Sequence, residues 1–260
     1  MLCGMSAPQA IALALDGPLA VATLARAPVN AIDEAWLERL DRVLDALEQA
    51  RGVAALLVRS GERAFCAGAD LAMMRSRFDS EQGRARMVAF VREIQRVYAR
   101  LERLPQVTIA EIGGAALGGG FELALACDLR IAANDARLGL PEVRLGLVPG
   151  AGGTQRLTRI AGEALAKRLI LGGEAVSGEQ AAALGLVQWA VPAGELAARS
   201  FALAAELTRI PAAALAACKR CIGAPQRGVD GYAAEVEATA SLLESAETQR
   251  LVREFLEKRR

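Results

Sequence analysis

The amino-acid sequence predicts an α/β protein with an all-helical C-terminal region. Two observations carry that reading. Short apolar runs alternate with longer stretches of helical spacing as far as residue 191, and after Pro192 only helical spacing remains. At 260 residues, with 53% hydrophobic and 23% charged side chains, the chain has apolar material for one sizeable core and a small appendage.

The elements follow in order. IALAL (11–15), the turn pair Asp16-Gly17 and LAVATL (19–24) read as a hairpin. Asp33 can cap a helix whose apolar positions Trp36, Leu37, Leu40, Val43, Leu44 and Leu47 keep helical spacing. VAALLV (53–58) reads as a buried strand, and RSGERAFCAGAD as the loop after it. Residues 72–85 are polar and are assigned to no element. From Met87 onward, Phe90, Val91, Ile94, Val97, Tyr98, Leu101 and Leu104 trace one face of a long helix. VTIAEI (107–112) is the next strand, followed by glycines, a short apolar helix from about Phe121 to Ala126, and a further strand, LRIAA (129–133). Pro141-Glu142 falls in a loop, and GGTQRLTRIAG starts another helix. Ser177 and Gln180 form a capping box for a helix ending at Gly185, and LVQWAV (186–191) is the last strand. Helices are expected over about 194–209, 211–222, 229–245 and 247–258. The expected division is therefore a core over 1–191 and a helical region over 192–260.

Composition narrows the function. A formal net charge of +1 supplies no global field for nucleic acid or an anionic membrane. The chain has no histidine, which removes the commonest general base, the commonest zinc ligand and any Ser–His or Cys–His dyad. Acid–base chemistry then falls to carboxylates, Tyr, Cys or Lys, and no metal site is expected. Cys3, Cys66, Cys127, Cys218 and Cys221 are odd in number and read as free thiols of a reducing compartment. Cys218-x-x-Cys221 has redox spacing but lies in an Ala-rich, helix-like stretch. The N-terminal MLCGMSAPQAIALALDG lacks a basic region ahead of its apolar run. The longest apolar stretch, 107–127, contains Glu111, Glu122 and five glycines and makes a poor membrane span. The expected location is the cytoplasm.

Two short stretches stand out, AFCAGAD (64–70) and LGGGFEL (117–123). Each sets small residues beside one acid, Asp70 or Glu122. Such turns serve either tight packing or the presentation of bare backbone N–H groups to a ligand.

Together with ARLGLPEVRLGLVPGAGGTQRL, these stretches resemble the crotonase superfamily and, within it, the enoyl-CoA hydratases. The resemblance runs from LARAPVNAID (24–33) to FLEKR (255–259). It implies a core of repeated ββα turns wound into a spiral, with C-terminal helices that mediate trimers, often paired into hexamers. It implies hydration of a 2-enoyl-CoA thioester. Adding water pushes negative charge onto the thioester oxygen, and two preorganised N–H donors stabilise that charge. By resemblance the donors are Ala69 and Gly119, so the two bare turns form the halves of one oxyanion hole. Glu142 gives a proton to Cα, and Glu122, 20 residues earlier in the chain, holds and activates the water. Coenzyme A enters as part of the substrate, and no separate cofactor is implied. Its arm follows backbone groups around Ala67 to Ala72, with Asp70 and Leu71 in the strip and Ala27 and Ala31 contributing. Arg26 is a candidate cation for the phosphates. Phe255 and Lys258 resemble residues that reach CoA, commonly from a neighbouring subunit.

The chain also departs from the family pattern. Gln106-Val107 replaces Lys-Pro, Gly113-Gly114 replaces Asn-Gly, and Arg250-Leu251 replaces an acidic-Gly pair. The acyl-pocket loop, 72–86, is the least family-like part. Other crotonase reactions, such as Δ3-Δ2-enoyl-CoA isomerisation or methylglutaconyl-CoA hydration, are the alternative. A non-catalytic RNA-binding role is opposed by the neutral charge and the lack of a basic stripe.

Overall fold

The computed structural model describes residues 9–258. β1 (Ile11–Asp16) and β2 (Leu19–Leu24) form the expected antiparallel hairpin, with Asp16 opposite Leu19. α1 (Glu34–Gln49) is capped by Asp33, which accepts the Trp36 N–H, and it buries the six residues named from spacing. β3 (Ala55–Ser60) lies two residues later than the 53–58 run, because its pairing with β2 extends from Ala55 opposite Leu19 to Ser60 opposite Leu24.

Residues 72–85, assigned to no element from sequence, are helical apart from Asp79 and Ser80. They make most of α2 (Leu71–Phe78) and the first turn of α3 (Glu81–Arg103). Asp70 caps α2 by accepting from Ala72 and Met73, and Ser80 caps α3 by accepting from Gly83. α2 buries none of its residues, so it lacks the apolar stripe that marks α3.

β4 (Val107–Ile112) is followed by β5 (Ala116–Leu117) and α4 (Gly119–Ala126), which begins inside the glycine run rather than at Phe121. β6 (Leu129–Ala133), β7 (Arg137–Gly139) and a 3-10 turn over Pro141–Leu145 come next. The helix expected from GGTQRLTRIAG is α5 (Gly153–Ala161). Gly162, at φ +79°, separates it from α6 (Glu163–Leu171). β8 (Ala175–Ser177) leads into α7 (Gly178–Ala183) through the Ser177–Gln180 capping box. The last strand, β9 (Trp189–Val191), is half the expected length. The Leu186 N–H turns back to the Ala181 carbonyl, and only three residues pair with β6.

The main sheet runs β1-β2-β3-β4-β6-β9 and is parallel except for the hairpin. A smaller sheet, β5-β7-β8, stands beside it. α8 (Leu196–Leu207) packs on β3, β4 and β6. α9 (Ala212–Ile222) pairs with α10 (Gly231–Leu243), and α11 (Ala246–Glu257) rests on α10. Among the described residues no single helix is long and apolar enough to cross a membrane. Cys3 and the first residues of the N-terminal stretch lie outside the described residues.

Candidate active site

The 64–70 strip threads between two partners. On one side, Ile32 N–H donates to the Gly68 carbonyl at 2.9 Å and Asp70 N–H donates to the Ile32 carbonyl at 2.9 Å. These bonds make a parallel bridge between Ile32 and Ala69, carried by the residues flanking Ala69. In that register the Ala69 N–H faces away from Ile32. On the other side, Cys66 N–H donates to Ala115 and Leu117 N–H to the Cys66 carbonyl, each at 3.0 Å. This pairing draws the start of α4 against the strip.

The approach is close enough to explain the missing side chains. A Cβ on Gly119 would stand 4.0 Å from the Ala69 nitrogen. A Cβ on Gly68, at φ +92°, would stand 2.9 Å from the Leu117 oxygen and 3.4 Å from the Gly119 nitrogen, and one on Gly120 only 2.0 Å from the Cys66 oxygen. Gly118 N–H is taken by the Gly139 carbonyl at 3.0 Å, which leaves Gly119 as the next donor at the helix start. Among the described residues neither the Ala69 nor the Gly119 N–H donates to another group. The structure thus brings together the two donors named from sequence.

Glu122 lies in the first turn of α4 and is 2% exposed. Its Oε1 accepts the Gly153 N–H at 2.7 Å, and a Cβ on Gly153 would sit 2.8 Å from that oxygen. Burial pushes the Glu122 carboxyl up to about 7; the Gly153 N–H opposes the rise and the neighbouring Glu142 adds to it. Glu142 stands in the 3-10 turn. Its Oε1 would be 2.9 Å from a Cβ on Gly118, and its Oε2 is buried without a hydrogen-bond partner. Burial raises this carboxyl as well. The turn is anchored by Arg144, which donates to the Gly173 and Gly172 carbonyls at 3.0 and 3.2 Å. Two carboxyls shifted toward neutrality beside two backbone donors can give and take protons at neutral pH while an oxyanion is stabilised.

The segments expected along the CoA arm form one lip. Ala67 N–H donates to the Val29 carbonyl at 3.0 Å, joining Ala27 and Ala31 to the strip through Ala72. Ala27, Ala67, Leu71 and Ala72 are exposed. Arg26 pairs with Asp33 at 2.7 Å and with Asp70 at 3.1 Å, and it also donates to the Ala31 carbonyl. Its guanidinium therefore holds the lip together. The Met73 N–H above all, with Arg26 and the Ala72 N–H, holds the Asp70 carboxyl below the usual range. Phe255 and Lys258 lie exposed at the end of α11, a helix that rests on α10.

Three further residues support the site. Gly153 holds Glu122. The buried Tyr98 hydroxyl donates to the Gly119 carbonyl at 3.0 Å. Asn30, at φ +52°, donates from Nδ2 to Ser60 Oγ and to the Ala64 and Phe65 carbonyls. From sequence, Tyr98 reads as one more core position, and the Gly152-Gly153 pair as a helix start.

Fold and site together define a crotonase-type protein: parallel strands hand over to a helix N-terminus, with two backbone donors and two carboxyls around it. The profile of the family described as enoyl-CoA hydratase/isomerase matches residues 16–260. The chain is 39% identical over 257 residues to a probable enoyl-CoA hydratase of Bacillus subtilis (strain 168), covering 97% of each. Among solved structures, an enoyl-CoA hydratase from Bacillus anthracis superposes with a TM-score of 0.88 at 35% identity, covering 96% of this chain and 97% of that one. Pseudomonas aeruginosa DspI superposes with a TM-score of 0.89 at 34% identity, covering 99% and 98%. The chain belongs to the enoyl-CoA hydratase/isomerase family.

Proposed function

We propose that the protein is an enoyl-CoA hydratase, adding water across the double bond of a 2-enoyl-CoA to give a 3-hydroxyacyl-CoA. The family acts on acyl-CoA thioesters. The observation that supports hydration in particular is the pair of carboxyls, Glu122 buried and Glu142 half-buried, beside the turn that carries the Gly119 N–H.

In this reading the thioester oxygen lies between the Ala69 and Gly119 N–H groups. Negative charge develops there as water adds, and the N-terminus of α4 favours it. Ionised Glu122 takes a proton from the water as its oxygen bonds to Cβ of the substrate. Protonated Glu142 gives its proton to Cα. The two carboxyls end with their protonation states exchanged, and solvent restores them. The CoA arm follows Ala27, Ala31, Ala67 and Asp70 to Ala72, so CoA is carried by the substrate and is not a resident cofactor. Exposed apolar residues on the last helices, among them Ile222, Tyr232, Val236 and Leu243, support a homotrimer or homohexamer. In such an assembly Phe255 and Lys258 meet the CoA of a neighbouring subunit.

The test is loss of the enoyl-thioester absorbance with crotonyl-CoA, wild type beside Glu142→Gln. Rapid loss in the wild type, slowed by about 10²–10⁴-fold in the variant, supports hydration. No turnover of crotonyl-CoA or longer enoyl-CoAs by folded protein refutes it. Activity that survives Glu142→Gln but not Glu122→Gln points to an isomerase-type reaction, which can run on one carboxyl.

A further inference from the structure

Arg156, on α5, is a buried charge that the donor pair and the carboxyl pair leave unexplained. It is 6% exposed. Its Nη1 donates to the Ala151 carbonyl at 2.9 Å, and Nε and Nη2 each lie 3.0 Å from Glu102 Oε2 on α3. A Cβ on Gly152, which takes φ +102°, would stand 2.4 Å from Nη1, so the guanidinium presses directly against the backbone of the 151–153 turn. The last N–H of that turn, on Gly153, donates to Glu122, and the Ala151 N–H at its start also favours the charged carboxyl.

We propose that Arg156 is a positioning residue for Glu122: it locks the 151–153 turn in register with the carboxyl and, balanced by Glu102, sets the charge that the carboxyl meets. The kinetic part of this inference rests on the hydratase reading; the geometric part does not.

The titratable and charged groups facing Glu122 come from three places. They are Glu142 on the 3-10 turn, Arg156 on α5, and Tyr98 on α3, which itself faces Cys66 on the strip. Burial raises the Tyr98 hydroxyl well above its ordinary range and pushes the Cys66 thiol up to about 12, so both are neutral near pH 7. The charged neighbours that decide the balance are therefore Glu142, which disfavours ionisation of Glu122, and Arg156, which favours it.

The experiment compares Arg156→Gln, Arg156→Lys and Glu102→Gln with the wild type in two readouts. One is the titration of the Glu122 carboxyl, followed by NMR of protein carrying [δ-13C]glutamate, with the signal assigned by its loss in Glu122→Gln. The other is the pH profile of kcat. Arg156→Gln should raise the Glu122 midpoint, because a nearby guanidinium favours the ionised carboxyl. Glu102→Gln, which leaves Arg156 without its counter-charge, should lower it. Arg156→Lys should stay near the wild-type midpoint and still lose rate, because a single ammonium cannot span Ala151 and Glu102 as the guanidinium does. The acid limb of kcat should follow each midpoint while KM moves by less than about twofold. A purely structural brace would loosen the turn in every variant and move all midpoints the same way. That result, or no movement, overturns the proposal. Midpoints that move as expected in protein that hydrates no enoyl-CoA keep the positioning role and refute the hydratase reading. Glu102 is partly exposed, so its variant keeps the test alive if Arg156→Gln does not fold.

Discussion

Replacing Glu122 by Gln should stabilise the protein above neutral pH, and the structure sets the size of the effect. The side chain keeps its shape, and the amide oxygen can still accept the Gly153 N–H. What disappears is the ionisation of a buried carboxyl. In the folded protein that group ionises near 7 instead of 4.5, chiefly because burial strips its water. Between those two values the folded state holds a proton that the unfolded chain has lost. Stability therefore falls as pH rises through that window. The gap of about 2.5 pH units corresponds to about 3 kcal/mol at 1.36 kcal/mol per unit. The loss is absent below 4.5 and complete above 7. The Gly153 N–H bond to the ionised form is already contained in that folded value, so exchanging acid for amide adds only an offset that is the same at every pH. Urea unfolding of both proteins at one protomer concentration, from about pH 4 to about pH 8, reads the difference directly. The Gln variant should gain about 3 kcal/mol on the wild type across that range, with an unchanged m-value. A difference that stays flat, or that grows as pH falls, would show that Glu122 is not held in a desolvated site.

Three other outcomes follow from the same geometry. Gly118→Ala puts a Cβ 2.9 Å from Glu142 Oε1 at a residue with φ +52°, so the carboxyl must move; kcat should drop by about 10²-fold, and a wild-type rate would mean that Glu142 tolerates displacement. Asn30→Ala removes the donor that ties residues 30, 60, 64 and 65 together and leaves their acceptors buried, which should cost about 2–3 kcal/mol in chemical unfolding. Cys66 and Cys127 are buried, with thiols pushed up to about 12, so a native titration with an aromatic disulfide should label the exposed Cys218 first. Rapid labelling of Cys66 in folded protein, read by peptide mass, would contradict the packing of the strip against α4.

The sequence was most readable where burial repeats along one face. α1 and most of α3 follow from apolar spacing residue by residue, because each packs a continuous stripe against the core. α2 buries nothing and so has no stripe to show; its one local mark is Asp70 as cap. β5, β7 and β8 are two or three residues long, too short for alternation to appear.

The site divides in the same way. The bare turns at 64–70 and 117–123 were visible as missing side chains, yet their orientation is a matter of register. The bonds from residues 68 and 70 to Ile32 leave Ala69 facing the other way, and nothing local to AFCAGAD reports that. The grip of Gly153 on Glu122 joins positions 31 residues apart. From sequence, Gly152-Gly153 reads as the start of a helix; in the fold, the first glycine yields to a guanidinium and the second to a carboxylate. At Gly68, Gly118, Gly120 and Gly153 a particular polar atom from a distant segment occupies the space of the missing Cβ, and at Gly119 the Ile32 Cδ1 does. Motif spacing records the vacancy, and only the packed chain identifies the occupant. For that reason the two acids were found by resemblance, whereas the donor that holds one of them was not.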